Sequence, residues 1–321
     1  MGADARPQVL VIAPVHAPAL AALEAEFDVQ RCVVPRGTAP SAGAASTHFD
    51  PARVRALVTT GLRGFTAVDL DALPALEIVA CFGQSHGTLE LAGARARSIV
   101  VTNTPDWTEQ AVADVALGLM LGVMRRLAEA DRFVRAGRWR DGPFPMSTDL
   151  RGKTCGIVGM GAIGRAVARR AAAFDMAIAW HGPHPKPDAP GRRVADLATL
   201  AAEADCLVIA CALTPATRQS IDADILAALG PRGFLVNVSR GAVVDQPALI
   251  AALRSGDIAG AGLEVFADEP NVPAELMTME EVMLVPHIGS STCEIRAHRQ
   301  ARLLGNLRAF FAAQPVPDPV T

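Results

Sequence analysis

The sequence has little that would point to a membrane, a nucleic acid or a metal. Its longest apolar run, Val115 to Met124, stops at Arg125 and Arg126, well short of the ~18–20 residues that span a bilayer. With 30 Lys and Arg against 33 Asp and Glu, the net charge is −3, which excludes a broadly basic nucleic-acid-binding face. The six cysteines include no CxxC and no other paired ligand spacing. We therefore expect no membrane, nucleic-acid or metal partner, and reduced cysteines in a cytoplasmic protein.

What the sequence does have is the pattern of a parallel-sheet protein. Its 321 residues, half of them hydrophobic, suffice for two domains of about 100–200 residues each. Short β-branched runs alternate with amphipathic segments, as in repeated βαβ units. The first series predicts strands at Val9–Val15, Val29–Val34, Ala56–Thr60, Glu77–Phe82 and Ile99–Thr102. The second predicts strands at Thr154–Val158, Ala177–His181, Cys206–Cys211, Phe234–Val238, Gly260–Val265 and Met283–Pro286. Helical spacing predicts long helices over about 109–137 and 293–311.

A glycine-rich turn lies between a predicted strand and a predicted helix. Gly159, Gly161 and Gly164 form a G-x-G-x-x-G pattern, which is weak alone but typical of dinucleotide binding in this context. The first glycine permits a tight turn, the second lets the backbone approach a pyrophosphate, and the third allows close helix–strand packing. The N–H groups at the start of the helix then favour phosphate. The alternative is a βα turn whose glycines serve geometry alone. The nearby Gly152-Lys153-Thr154 is not a P-loop, because Ser147 stands where its first glycine belongs.

The residues that follow the second strand of this series bear on the choice of dinucleotide. NAD-selective sites place an acidic residue there to accept from the ribose 2′-hydroxyl. No acidic residue occurs between Met176 and Pro187, whereas His184 and Lys186 could donate to a 2′-phosphate. NADP(H) is therefore the preferred cofactor, with NAD(H) also possible. The alternative is a solvated loop whose charges bind nothing.

Three polar residues follow predicted strands of the second series. They are Arg240, Glu269 and His287. The carboxyl ends of strands in open α/β sheets border the ligand crevice, so these side chains are candidates for catalysis. Each has an ordinary alternative when taken singly: a surface ion pair, a solvated carboxylate and a hydrogen-bonded structural imidazole, respectively.

Together, and in this order after the glycine turn, these residues resemble the D-isomer-specific 2-hydroxyacid dehydrogenase family. The resemblance covers nearly the whole chain and is closest to the NADP-dependent glyoxylate/hydroxypyruvate reductase branch. It is carried by Thr102-Asn-Thr-Pro105, Val112-Ala-Asp114, Pro215-Ala-Thr217, Arg240-Gly241, Val243-Val-Asp245, Glu269-Pro270 and Pro286-His-Ile-Gly-Ser290.

The resemblance implies an enzyme that reduces a small 2-keto acid to the 2-hydroxy acid. Arg240 would hold the substrate carboxylate and carbonyl oxygen in a bidentate manner. His287 would donate the proton that accompanies the hydride, and Glu269 would favour and orient the charged imidazole. The nicotinamide would supply the hydride.

The resemblance also implies the remaining site residues. Gln84, Ser85 and His86 would join Arg240 in binding substrate, although the family often has Val-Gly-Tyr-Asp at 84–87. Two further departures are Glu264, where the family usually has Asp, and Pro183, where NADP-using relatives often have Arg. The implied cofactor contacts are Gly159, Met160, Gly161, Ala162, Ile163, Gly182, His184, Lys186, Cys211, Thr217, Val238, Ser239, Glu264, His287 and Gly289.

The implied fold is α/β, with two Rossmann/flavodoxin-like doubly wound parallel-sheet domains. A cofactor domain at 104–291 would be inserted into a discontinuous substrate domain at 1–103 and 292–321, with closure around the substrate. Family members commonly pair through the cofactor domain, so a homodimer is expected.

Two other functions fit parts of this pattern. A non-catalytic, NAD(P)H-binding redox sensor or corepressor could use the same fold, because fold alone does not decide function. Arg240, Glu269 and His287 together favour an enzyme instead. Formate dehydrogenases typically partner their histidine with Gln, which fits Glu269 and Pro286 poorly.

Overall fold

The computed structural model describes residues 6–41, 49–83, 88–105 and 108–320. The chain folds into two α/β units, one of which interrupts the other along the sequence. Unit 1 comprises Met1–Asp106 and Cys293–Thr321, and unit 2 comprises Trp107–Thr292. Each has a wholly parallel sheet, which confirms the predicted fold class.

Unit 1 has a five-stranded sheet in the order β2-β1-β3-β4-β5. Its strands are β1 (Gln8–Val11), β2 (Asp28–Arg31), β3 (Val54–Thr60), β4 (Ile78–Phe82) and β5 (Val100–Thr102). Its helices are α1 (Ala17–Glu26), α2 (Ala67–Ala72), α3 (Leu91–Ala96) and, from the end of the chain, α11 (Cys293–Phe311). The strands β1 and β4 are almost wholly buried, as expected for a parallel sheet covered on both faces.

Unit 2 has a seven-stranded sheet in the order β12-β11-β10-β9-β6-β7-β8. The strands are β6 (Thr154–Val158), β7 (Ala177–His181), β8 (Arg192–Arg193), β9 (Cys206–Ile209), β10 (Phe234–Asn237), β11 (Gly260–Leu263) and β12 (Val282–Leu284). The helices are α4 (Thr108–Met124), α5 (Leu127–Arg135), α6 (Ala162–Ala172), α7 (Leu197–Glu203), α8 (Ala223–Leu229), α9 (Gln246–Ser255) and α10 (Ala274–Thr278). The order reverses direction at β6 and β9, the place where dinucleotides bind in such sheets.

The core of unit 2 lies on both faces of its sheet. Along β9, Leu207 and Ile209 pack into one apolar cluster, whereas Cys206 and Val208 pack into the other. This alternation follows from the two-residue period of a strand, and it explains why β9 reads as a continuous apolar run. No helix of the described ranges is both long enough and apolar enough to cross a lipid bilayer.

Besides shifts of up to three residues at strand ends, such as that of β2, three differences from the sequence-based prediction stand out. β1 ends at Val11 rather than Val15, because Pro14 has no N–H with which a strand could continue its pairing. The helix predicted over 109–137 is two helices, α4 and α5, separated where Arg126 adopts a left-handed φ of 53°. The Nε and Nη2 of Arg126 each donate to the Glu129 carboxylate at 2.7 Å. These hydrogen bonds link the break to the first turn of α5. The short strand β8 was not predicted.

Candidate active site

The glycine turn between β6 and α6 has the geometry that its sequence predicts. Gly159 has a φ of 96°, and a Cβ there would lie 2.6 Å from the Cα of Cys211. A Cβ on Gly164 would lie 2.1 Å from the Gly159 carbonyl oxygen, so helix and strand pack too closely for a side chain. By contrast, a Cβ on Gly161 would meet nothing within 4 Å. The backbone at Gly161, where α6 begins, therefore borders open space that a phosphate can enter.

A cavity of about 480 Å³ lies beside this turn, at the carboxyl ends of β6, β7 and β9. Its volume falls in the range of about 300–1,000 Å³ that is usual for ligand pockets. Eight of the predicted cofactor residues line it: Gly159, Met160, Gly161, Gly182, His184, Lys186, Cys211 and Thr217. These residues fit a dinucleotide, because the open backbone at Gly161 can accept a phosphate, and His184 and Lys186 offer donors elsewhere along the cavity.

The loop after β10 presents Arg240. Its Nη1 donates to the Ser239 carbonyl oxygen at 2.7 Å, and the residue is exposed. The buried Asn237 holds the turn: its Nδ2 donates to the Arg240 carbonyl oxygen at 3.2 Å, and its Oδ1 accepts from the Ser239 N–H and Oγ, both at 3.0 Å. Arg240 thus stands on a fixed backbone and keeps guanidinium donors for a ligand.

His287 and Glu269 form a hydrogen-bonded pair. The Nδ1 of His287 lies 2.8 Å from the Oε2 of Glu269, and the Oε1 of Glu269 accepts from the Phe266 N–H at 3.1 Å. His287 also has a left-handed φ of 51°, and its N–H donates to the Glu264 and Val285 carbonyl oxygens. Because Nδ1 is occupied by the carboxylate, Nε2 is the ring atom left for a substrate. Both side chains border an apolar cavity of about 280 Å³.

Glu264 lies behind this pair and is buried. Its carboxylate accepts from the Gly289 N–H, and burial raises its pKa above the ordinary value. The Gly289 hydrogen bond and the charges of His287 and Arg240 act in the opposite direction, whereas Glu269 raises the pKa further.

The three predicted catalytic residues follow neighbouring strands, β10, β11 and β12. The Arg240 turn is pressed against the Glu269 loop: a Cβ on Gly241 would lie 1.9 Å from the carbonyl carbon of Phe266. All three residues also act electrostatically on Glu264. The fold therefore gathers a guanidinium, a carboxylate and an imidazole at one edge of the unit 2 sheet.

Other predicted site residues either do not line this cavity or are outside the described residues. Gln84, Ser85 and His86, the predicted substrate loop, are outside the described residues. Ala162 borders a different cavity on α6, and Ile163 packs against the core. Val238 and Ser239 are buried just after β10, and Ser239 donates to the Asn237 side chain.

Sequence reasoning missed two contributors to this site. Asn237 fixes the Arg240 turn. The signal that the sequence offers for it is a single polar residue within the otherwise apolar segment Phe234–Val238. The Phe266 N–H, which orients Glu269, is a backbone group and has no sequence signal at all.

The raised pKa of Glu264 leads to a prediction about stability. A carboxyl group whose pKa is higher in the folded state contributes stability at low pH and loses it as the pH rises through the folded-state pKa. Glu264→Gln removes this titration and retains an acceptor for the Gly289 N–H. We expect the Tm of the variant, relative to wild type, to increase between about pH 4.5 and about pH 7.

Thermal unfolding at the two pH values measures this effect. Glu275→Gln is the matched control, since Glu275 is exposed in the first turn of α10. A relative Tm of Glu264→Gln that falls or stays constant over this interval would contradict the assigned burial cost.

Fold and site together define an α/β protein with a dinucleotide-type glycine turn and an adjacent Arg/Glu/His cluster. Residues 117–289, more than half of the chain, match the NAD binding domain of the D-isomer specific 2-hydroxyacid dehydrogenases. The chain belongs to this family, and the resemblance stated from the sequence is confirmed. Its relatives are named reductases, so it is an oxidoreductase.

Several relatives match over most of their length. A hydroxyphenylpyruvate reductase from Plectranthus scutellarioides is 43% identical over 267 residues, which cover 83% of this chain and 85% of the relative. Glyoxylate/hydroxypyruvate reductase A HPR2 from Arabidopsis thaliana is 42% identical with the same coverage. Among solved structures, an NADPH-dependent glyoxylate/hydroxypyruvate reductase from Sinorhizobium meliloti, in complex with citrate, superimposes with a TM-score of 0.86, at 39% identity and coverage of 98% and 97%.

Proposed function

We propose that this protein reduces a small 2-keto acid, of the glyoxylate or hydroxypyruvate kind, to the 2-hydroxy acid with NADPH. The observation that carries the proposal is the His287–Glu269 pair, with Nδ1 and Oε2 2.8 Å apart, on strand ends next to Arg240. The names of the reductases from Arabidopsis and Sinorhizobium meliloti support the substrate class.

Substrate binding falls to Arg240 in this proposal. A planar guanidinium matches the carboxylate and the adjacent carbonyl oxygen of a 2-keto acid, and each charge-assisted hydrogen bond fixes the carbonyl carbon in place. The same positive charge stabilises the negative charge that develops on the carbonyl oxygen. Gln84, Ser85 and His86 stay the predicted substrate-binding loop, and they lie outside the described residues.

Proton transfer falls to His287. When bound, the nicotinamide supplies a hydride, that is, a proton with two electrons, to the carbonyl carbon. The imidazolium gives its Nε2 proton to the carbonyl oxygen and becomes neutral, so the product is a hydroxyl group. Glu269 favours the charged imidazole and, held by the Phe266 N–H, keeps the ring in one orientation.

NADP(H) is the proposed cofactor. Segment 177–187 has no carboxylate that would repel a 2′-phosphate, and His184 and Lys186 line the cavity beside the glycine turn. A structural relative from Sinorhizobium meliloti, described as NADPH-dependent, is in complex with NADP and malonate; it superimposes with a TM-score of 0.83.

We also propose a homodimer in the cytoplasm. Within segment 127–146 of unit 2, four large apolar side chains are exposed, which favours a partner surface on the cofactor unit: Leu127, Val134, Trp139 and Met146. All six cysteines are unpaired, as in a reducing compartment. Light scattering coupled to gel filtration measures the oligomeric state, and a monomer mass would contradict the dimer.

A panel of 2-keto acids, assayed with NADPH and with NADH, tests the proposed function. We expect turnover of glyoxylate and hydroxypyruvate and a higher kcat/KM with NADPH. Tight NADPH binding without turnover of any acid in the panel would favour a redox sensor. A higher kcat/KM with NADH would contradict only the cofactor preference.

A further inference from the structure

Arg193 lies on the two-residue strand β8 and contacts two residues, Trp180 and Gly182, that line the cavity beside the glycine turn, hereafter the nucleotide cavity. β8 pairs with β7 in parallel, with Arg193 opposite Trp180. The pairing is close because of Gly191, where a Cβ would lie 2.4 Å from the Ile178 carbonyl oxygen. The position of β8, and of the arginine on it, is thereby fixed by backbone contacts with the strand that leads into the cavity.

The guanidinium of Arg193 is held at the carboxyl end of β7. Its Nη2 donates to the Gly182 carbonyl oxygen at 3.0 Å, and its Cζ lies 5.9 Å from the centroid of the Trp180 ring. Trp180 and Gly182 both line the nucleotide cavity. The hydrogen bond uses one of the five guanidinium N–H donors, so the others remain for an anion. The aromatic contact restricts the side chain and lowers the entropy lost on binding.

The charges around Arg193 leave it available to a ligand. In the part of the chain that the structure describes, no carboxylate forms an ion pair with it, although its neighbour Arg192 pairs with Glu203. Asp196 is close in sequence, but its carboxylate accepts from the N–H and Oγ1 of Thr199, both at 2.8 Å.

This end of β7 is where dinucleotide-binding folds distinguish the two cofactors. A carboxylate there accepts from the 2′-hydroxyl of NAD, whereas an arginine accommodates the 2′-phosphate of NADP. Here the loop after β7 has Pro183, whose side chain donates nothing, and the side chains of this loop that line the cavity and can donate a hydrogen bond are those of His184 and Lys186. A guanidinium, which suits a phosphate because it can donate two parallel hydrogen bonds, is present instead on the neighbouring strand β8, at Arg193.

We propose that Arg193 binds the 2′-phosphate of NADP(H) and is the main determinant of the preference over NAD(H). The inference rests on the proposed function in so far as the protein must use NADP(H). It goes further by assigning the selectivity to a residue on β8, outside the loop after β7 that the sequence pattern marks.

Adenosine fragments test this without catalysis. The ligands are 2′,5′-ADP, which has the 2′-phosphate, and 5′-ADP, which lacks it, and calorimetry measures both dissociation constants. Arg193→Ala is expected to weaken 2′,5′-ADP by about 10- to 100-fold, the usual effect of losing hydrogen bonds between charged groups. Binding of 5′-ADP should change by less than about twofold, since that ligand lacks the phosphate that Arg193 contacts.

Arg192→Ala is the matched control, because Arg192 is the adjacent arginine on the same strand and pairs with Glu203. It should leave both dissociation constants unchanged. Arg193→Lys keeps the charge without the bidentate geometry and should fall between wild type and Arg193→Ala.

The outcomes separate the two levels of the argument. If wild type binds 2′,5′-ADP no more tightly than 5′-ADP, the NADP preference itself is wrong. If wild type prefers 2′,5′-ADP and Arg193→Ala keeps that preference, only the role of Arg193 is wrong. Equal weakening of both ligands would likewise overturn it, since it would show that Arg193 merely supports the Gly182 backbone.

Discussion

Replacing His287 with alanine is expected to lower kcat for keto-acid reduction by about 10²-fold or more, the usual contribution of a positioned acid–base group. The variant loses the only proton donor that the proposed mechanism places at the carbonyl oxygen. The side chain of His287 is 48% exposed, so its removal should leave the fold intact. Stopped-flow measurement of NADPH oxidation at saturating substrate gives the chemical rate directly.

The partner carboxylate supplies the matched comparison. Glu269→Gln removes the charge that favours the imidazolium, whereas Asp268→Asn changes the adjacent exposed carboxylate, which contacts Asn271 instead. We expect a lower kcat for Glu269→Gln and an unchanged kcat for Asp268→Asn. Near-wild-type chemistry in His287→Ala would remove His287 from its assigned role.

Arg240→Ala is expected to lower kcat/KM for keto acids by about 10²–10³-fold, equivalent to roughly 3–4 kcal/mol of transition-state stabilisation. Both parameters should change: KM rises because the carboxylate loses its charged partner, and kcat falls because the carbonyl oxygen loses a stabilising charge. Arg240→Lys keeps the charge but loses the fork of donors, so it should recover only part of the loss. Steady-state kinetics with glyoxylate and hydroxypyruvate measures all three.

Arg254 offers the control for this experiment. It lies in the last turn of α9, which precedes the amino end of β11, whereas Arg240, Glu269 and His287 follow the carboxyl ends of their strands. Arg254→Ala should therefore match wild type. Affinity for NADPH should also be retained in Arg240→Ala, because the glycine turn is untouched. Unchanged kinetics in Arg240→Ala would show that another residue holds the substrate.

The parts of the site that local sequence dictates could be predicted from the sequence. Gly159, Gly161 and Gly164 have distinct steric requirements within six residues, and the structure meets each of them. The proximity of Glu269 and His287 was also predictable, because residues that follow neighbouring parallel strands meet at one edge of the sheet.

Features that depend on contacts distant in sequence could not be predicted. β8 has two residues, too few for a periodic pattern, and it forms because Gly191 packs against Ile178. The contact between Arg193 and Gly182, which lines the nucleotide cavity, therefore could not be predicted from the sequence. The break between α4 and α5 was missed for a related reason: Arg126 has no helix-breaking character, and its hydrogen bonds to Glu129 form only in the folded chain.

The measurement that tests the central claim most directly is isotope transfer from the cofactor to the substrate. Reduction of hydroxypyruvate with NADPH carrying deuterium at the transferred C4 position, followed by mass spectrometry and NMR, locates the label. Direct hydride transfer at the site next to His287 and Arg240 predicts one deuterium on the carbon that bore the keto oxygen. Unlabelled product from cofactor with the label on either face, or no product despite bound cofactor, would contradict the assignment of this protein as a 2-keto acid reductase.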